Sequence, residues 1–277
     1  FGLSPLLWSQ AVITEVYALH AFFVALILYF STSEKQSDLA LGLTFGLALG
    51  NHVTIILLLP VVFKRQLHSS LREGRSSRRS NPPILEGIAS HKPLAMTGGQ
   101  NWLNQVRDYL KLNAFSFFRR LAWTGAGLLT YLILPLRALT NPSVNWGNPV
   151  TLKNFGWLVS ARLYQDEVFA LTIPALWTRV QSAAALLLDS FGIVGLCLSL
   201  LGLVFFFRKT PLYRHTLWIM AAFSLFALVY FTEDSYLHFI PPALSFSIWL
   251  GLAVDGLMKM IPSQSDSHFR SDCHFVN

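Results

Sequence analysis

Charged residues and cysteines are scarce in this chain of 277 residues. Asp, Glu, Lys and Arg make up 13% of it, whereas a soluble domain carries about 25%. The two cysteines, Cys197 in an apolar stretch and Cys273 near the C-terminus, favour neither a disulfide framework nor a metal site. An initiator methionine is also absent, and Phe1 adjoins an apolar run, so we expect a piece of a longer protein. These absences exclude an ordinary soluble domain.

Hydrophobic residues dominate instead, at 53% of the sequence. A bilayer core of about 30 Å is crossed by about 20 apolar residues in helical form, because unpaired backbone groups are not tolerated in lipid. Six stretches approach this requirement: 11–30, 39–63, 120–136, 191–207, 218–231 and 239–258. The sequence therefore predicts an all-α, polytopic transmembrane bundle of about six spans.

The net charge of +7 is concentrated in two connectors, 64–120 and 208–214. Basic residues that avoid the apolar runs fit a membrane topology better than nucleic-acid binding, and they place both connectors in the cytoplasm. The expected order is membrane helices at 1–63, a flexible basic cytoplasmic loop at 64–119, and membrane helices at 120–260. A polar tail at 261–277 follows.

The same alternation places 138–190 on the outer face as a long loop. Asn141 to Pro149 is rich in turn residues, and Thr151 is a candidate N-cap for an amphipathic helix that we expect to lie on the bilayer surface. A second amphipathic stretch, 168–188, fits the same interfacial placement, and it also fits a re-entrant or a spanning helix.

Three polar residues interrupt the first two apolar runs. Glu15 is expected to face a bundle interior or an aqueous cleft, or to be paired structurally, because a charge in lipid is costly. Asn51 and His52 require partners for the same reason, from either a neighbouring helix or a substrate. Just before them, Gly42, Gly46 and Gly50 are spaced for close helix packing.

Two further groups lie at the predicted outer face. Arg137 and Arg162 have the chemistry to hold a phosphate, although each alone also fits an arginine that reaches the interface from a helix end. The connector from Glu233 to Pro242 combines acidic, hydroxyl and imidazole groups, and it also fits a solvated hairpin. No nucleotide fingerprint, metal-ligand spacing or nucleophile elbow is present, so no cofactor is evident and a divalent metal is left undetermined.

Several of these stretches together resemble a known family. They are Trp8 to Tyr17, Gly50-Asn51-His52, Leu134 to Arg137, Asn145 to Pro149, and Tyr236 to Pro241. In this order they resemble a bacterial multi-spanning membrane family related to the eukaryotic transmembrane protein O-mannosyltransferase.

The resemblance implies a GT-C-type fold in a bacterial plasma membrane, a polyprenyl-phosphate sugar donor and a protein hydroxyl as acceptor, with membrane lipids as the surroundings. The substrate-cleft residues that we assign are Arg137, Asn145, Trp146, Arg162, Tyr164, Tyr236 and His238. The family's catalytic acidic motif would precede Phe1, so we expect this chain to be inactive alone.

One conflict and two alternatives follow. The predicted topology places Trp8 and Glu15 toward the cytoplasm, whereas an outer-leaflet donor requires the opposite face, so Glu15 is discounted as catalytic. A transporter or flippase, with Glu15, Asn51 and His52 on a substrate path, is the main alternative. A non-catalytic remnant is the other.

Overall fold

The computed structural model of the chain describes residues 1–2, 4–13, 15–33, 36–63, 99–168, 172–206 and 212–260, and in 99–112 it describes the backbone alone. Residues 64–98 of the predicted basic loop and the predicted polar tail at 261–277 lie outside the described residues.

The described part of the chain is helical, and its one strand-like contact is an isolated bridge between Val168 and Tyr230. The α-helices are α1 (Pro5–Ala11), α2 (Tyr17–Thr32), α3 (Asp38–Asn51), α4 (Leu59–Phe63), α5 (Gly99–Leu128), α6 (Ile133–Ala138), α7 (Leu152–Val159), α8 (Ile173–Leu201), α9 (Tyr213–Val229) and α10 (Ile240–Met258). Short 3-10 turns lie at Val53–Leu58, Leu129–Leu132, Arg162–Glu167 and Glu233–Phe239, and a π turn lies at Gly202–Phe206.

Three helical stretches are long and apolar enough to cross a membrane, namely Asn113–Ala138, Ile173–Phe205 and Glu233–Met258. Shorter apolar helices lie at Tyr17–Thr32, Val53–Phe63 and Tyr213–Val229. These findings confirm the predicted helical membrane bundle. The helices belong to two compact units. The first unit consists of Phe1–Ala21 and Tyr164–Asn277, and the second consists of Phe22–Leu163.

In the second unit, the prediction of a single span at 39–63 is wrong. α3 ends at Asn51, and His52 is extended (φ −152°, ψ 130°) before the chain turns back. The Arg120 guanidinium donates to Asp38 Oδ1 at the start of α3 (2.8 Å) and to the Val62 carbonyl at the end of α4 (2.5 Å). The stretch is therefore a helical hairpin whose two ends meet at Arg120. The 14 residues of α3 extend only about 21 Å, which is shorter than a bilayer core.

The hairpin predicts the membrane sides of its flanking segments. In a variant whose two cysteines are replaced by serine, we expect a cysteine at Ser33 and one at Ser76 to react with an impermeant maleimide from the same face. Ser143 follows the apolar helix Asn113–Ala138, so a cysteine there should react from the opposite face. Labelling of Ser33 and Ser76 from different faces would show that 39–63 crosses the membrane after all.

Glycines bring α3 against α5, which confirms the packing role predicted for them. A Cβ added at Gly42 would lie 2.4 Å from the Arg120 carbonyl oxygen, and one at Gly46 would lie 2.2 Å from that of Thr124. On α5, a Cβ at Gly127 would lie 2.7 Å from the Leu43 carbonyl oxygen. The two backbones therefore touch along this contact.

In the first unit, α8 consists of two helical segments that meet at Gly192, whose backbone is not helical (φ 64°, ψ 171°). The first lies within the predicted interfacial or spanning stretch 168–188 and continues to 191, and the second lies within the predicted span 191–207. Helix α8 runs beside α10, with the rings of Phe191 and Phe246 5.8 Å apart. Farther along, a Cβ at Gly202 would lie 1.9 Å from the Trp249 carbonyl oxygen. Of the three alternatives left open for 168–188, the structure favours a spanning helix, because Ile173–Phe205 is long and apolar enough to cross a membrane.

Candidate functional site

A cleft of about 230 Å³ lies in the first unit between α8 and the connector that joins α9 to α10. Its lining combines one cation, one carboxylate, several hydroxyls and aromatic rings, from Arg179, Ser182, Ala183, Ala227, Thr232, Glu233, Ser235, Tyr236 and Phe239. Such a lining suits a small polar ligand with both charged and hydroxyl groups.

Arg179 holds the connector in place. Its Nη1 donates to the carbonyl oxygens of Ala227 (3.3 Å) and Tyr230 (2.7 Å) and to the Ser235 hydroxyl, and its Nη2 donates to the Thr232 carbonyl (3.1 Å). α9 ends at Val229, where helix carbonyls lack partners within the helix and carry partial negative charge. The guanidinium therefore acts as a C-terminal cap contributed by another helix.

The charge of Arg179 is not neutralised by a carboxylate. Among the described residues, none of the ion pairs within 4.0 Å includes Arg179, although Glu233 also lines the cleft. Carbonyl dipoles and the ring of Phe231, 5.4 Å from the guanidinium carbon, offset this charge only in part. The cleft lining therefore carries a guanidinium that no carboxylate pairs directly, a group type that binds phosphates.

The N-terminal segment reaches the same connector through Tyr17, the first residue of α2. The buried Tyr17 donates its phenol hydrogen to Asp234 Oδ2 at 2.8 Å. Leu6 and Ala21 share a buried apolar cluster with Leu237 and Phe239. Residues more than 200 positions apart in sequence thus build one site.

Two predicted substrate contacts lie in this connector in different environments. Tyr236 lines the cleft and is 45% exposed. His238 is buried behind it, with ring centroids 5.9 Å from Tyr17, 4.9 Å from Phe226 and 5.6 Å from Tyr230. Tyr236 is therefore the member of the pair placed to touch a ligand.

The chain segment before α8 also borders the connector. Tyr164 is exposed, and the carbonyl of Glu167 accepts a hydrogen bond from the Phe231 amide at 2.9 Å. The structure thus places Tyr164 in the same unit as Tyr236 and His238.

The other predicted contacts, Arg137, Asn145, Trp146 and Arg162, belong to the second unit. Arg137 is exposed at the end of α6, and Arg162 is exposed after α7. Asn145 donates to Asn148 Oδ1 at 3.1 Å, and Trp146 is 58% exposed. These residues are not part of the cleft lining.

The polar residues expected inside the first two spans have different surroundings. Glu15 is exposed, because α2 begins only at Tyr17 and leaves Glu15 in the preceding turn; its expected burial is not found. Asn51 and His52 are half-buried at the turn of the hairpin. His52 Nδ1 lies 2.8 Å from Thr54 Oγ1, so this histidine caps the returning leg.

Sequence reasoning missed Arg179 and the pairing of Tyr17 with Asp234. The available signal for Arg179 was a lone cation in the largely apolar stretch 168–207. No sequence pattern indicates the contact of Tyr17 with Asp234, because it forms only in the tertiary structure. Among the described residues there is no group of three His, Cys, Asp or Glu side chains placed to hold a metal ion.

Comparison with known proteins adds one finding. Residues 1–70 match the model of the protein O-mannosyl-transferase TMEM260 N-terminal domain. The chain is thus similar to this domain over its first quarter, and the predicted relation to the eukaryotic O-mannosyltransferase is supported there. The matched residues include α1 to α4, and therefore Tyr17 of the site. No curated protein and no solved structure matches the chain.

Proposed function

We propose that this membrane protein is a glycosyltransferase of the GT-C type. It would move a mannose-like sugar from a polyprenyl-phosphate donor to a protein hydroxyl on the non-cytoplasmic side, in a bacterial plasma membrane. The observation that carries this proposal is the match of residues 1–70 to a protein O-mannosyl-transferase domain. The composition of the cleft supports it independently.

The proposed reaction needs a group that stabilises the leaving phosphate. The acceptor oxygen bonds to the anomeric carbon, the bond from that carbon to the donor phosphate oxygen breaks, and the hydroxyl proton passes to a general base. The departing phosphate gains negative charge, which a guanidinium stabilises well. Arg179 is the cation of the cleft, and Glu233 and Tyr236 on the same lining offer a hydrogen-bond acceptor and a ring face to the sugar.

We expect Arg179→Ala to lower sugar transfer by about 100-fold, because it removes a donor to the developing charge. Membranes containing the full protein would be incubated with a polyprenyl-phosphate mannose and a peptide rich in serine and threonine. Mass spectrometry of the peptide reports the added hexose. Lys259→Ala is the matched control, since Lys259 is an exposed cation that pairs with Asp255, and its replacement should leave transfer unchanged.

Arg179 also caps α9, so the stability of each variant must be measured with its activity. Arg179→Lys keeps the charge but cannot reproduce the four hydrogen bonds, and partial activity is expected. If the Arg179→Ala variant is stable and transfers sugar at the unchanged rate, the cleft takes no part in the reaction.

One observation favours the alternative of a transporter or flippase. The long apolar helix α8 is interrupted at Gly192, and interrupted helices form substrate sites in many transporters. Uptake of a solute by vesicles containing the protein, in the absence of sugar transfer, would favour this alternative over the transferase.

A further inference from the structure

The segment from Val144 to Leu152, called the apolar loop below, presents large hydrophobic side chains outward. Val144 is 79% exposed, Trp146 is 58% exposed and Leu152 is 90% exposed. Three such side chains within nine residues would be unfavourable in water, because apolar surface is stabilised by removal from it. We therefore expect the side chains of this loop to lie in an apolar medium.

Asparagine side chains of the apolar loop form hydrogen bonds within the loop and with α7. Asn145 Nδ2 donates to Asn148 Oδ1 at 3.1 Å, and Asn154 Nδ2 donates to the Asn148 carbonyl at 2.9 Å. The hydrogen bonds therefore turn asparagine side chains toward one another, and the apolar side chains are left outside.

The backbone holds this arrangement in place. Gly147 has φ +66°, a conformation that favours glycine, and a Cβ there would lie 3.2 Å from the Trp157 ring, which is a tight contact. Thr151 accepts a hydrogen bond from the Asn154 amide at 3.2 Å and caps α7. The outward side chains are thus a property of a defined loop.

The position of the loop along the chain identifies what covers it. The apolar helix Asn113–Ala138 ends six residues before Val144, so the loop begins where a membrane-crossing helix ends. Trp146 is of the residue type that favours the boundary between headgroups and acyl chains. The exposed Lys153 beside Leu152 can pair with lipid phosphates.

We propose that the apolar loop inserts Val144, Trp146 and Leu152 into the headgroup–acyl boundary of the adjacent leaflet. It fixes the height of the second unit in the bilayer. The proposal stands whether or not the protein transfers a sugar.

Tryptophan quenching in lipid nanodiscs tests the insertion. The full chain is placed in phosphatidylcholine nanodiscs with and without lipids brominated near the headgroup, and the emission of Trp146 is obtained by subtracting that of Trp146→Phe. We expect the brominated lipid to quench most of this emission and aqueous iodide to quench little of it. Trp249, buried in the first unit, supplies through Trp249→Phe the signature of a ring covered by protein.

Each other outcome overturns the proposal. Quenching by iodide but not by brominated lipid would place the loop in water. Resistance to both quenchers, as for Trp249, would mean that a protein surface or a second copy covers it. Val144→Asp is a second variant that retains Trp146 and the asparagine network, so the test does not depend on the folding of Trp146→Phe alone. It should reduce the quenching of Trp146 by brominated lipid and increase its quenching by iodide.

Discussion

Asp38→Ala is expected to lower the free energy of unfolding by about 3–5 kcal/mol, because it leaves a buried arginine without its ionic partner. Arg120 is 1% exposed, and its Nε lies 2.8 Å from Asp38 Oδ1. Its remaining hydrogen bonds go to the neutral acceptors Val62 O and Gln36 Oε1. Neither acceptor can balance the full positive charge once the carboxylate is removed.

Unfolding of the full chain in mixed micelles, followed by circular dichroism, measures this loss. Asp255→Ala is the matched control, because Asp255 pairs with Lys259 at 2.6 Å on an exposed helix face and should contribute about 0.5 kcal/mol or less. The double variant Asp38→Ala/Arg120→Met should recover much of the lost stability, since no unpaired charge is then buried. Equal losses from Asp38→Ala and Asp255→Ala would contradict the role of Arg120 in closing the hairpin.

Gly46→Ala is also expected to destabilise the second unit, for a different reason. The added Cβ would lie 2.2 Å from the Thr124 carbonyl oxygen and 2.9 Å from the Gly127 Cα, so α3 and α5 must move apart. Overpacking of this kind costs about 1–3 kcal/mol, and the upper end applies here because both obstructing atoms are backbone. The hairpin would lose its main contact with α5.

Gly125→Ala provides the opposite result within the same helix pair. A Cβ at Gly125 meets nothing within 4 Å, and alanine is favoured over glycine in a helix by about 1 kcal/mol. The same unfolding assay should show Gly125→Ala unchanged or stabilised and Gly46→Ala destabilised. Similar behaviour of the two variants would mean that α3 and α5 do not pack as closely as the structure has them.

The hairpin at 39–63 could not be predicted from the sequence. Residues 39–63 are nearly all apolar, and a run of that length satisfies the requirement for a span whether the chain crosses or turns back. The polar pair Asn51-His52 marked the turn, but polar pairs inside a membrane run also occur at helix contacts. Arg120, distant in sequence, distinguishes the two because it binds both ends of the hairpin.

The candidate site shows the same limit. Tyr236 and His238 were predicted from a cluster of polar residues close together in the sequence, and the structure places Tyr236 in the lining of the cleft. Arg179 and Tyr17 join that connector through contacts over 48 or more positions of sequence, which no local pattern encodes.

The scarcity of charge identified this chain, from the sequence alone, as a membrane protein, because charged side chains are costly in lipid. Helices follow from the same composition, because a helix pairs its own backbone groups inside the bilayer. The resemblance of its N-terminal quarter to an O-mannosyl-transferase domain also resides in the sequence. Tertiary structure decided that one apolar run turns back and that Arg179 faces the Asp234 connector. Apolar patterning specifies which residues leave water, whereas the pairing of buried polar groups depends on how the helices pack.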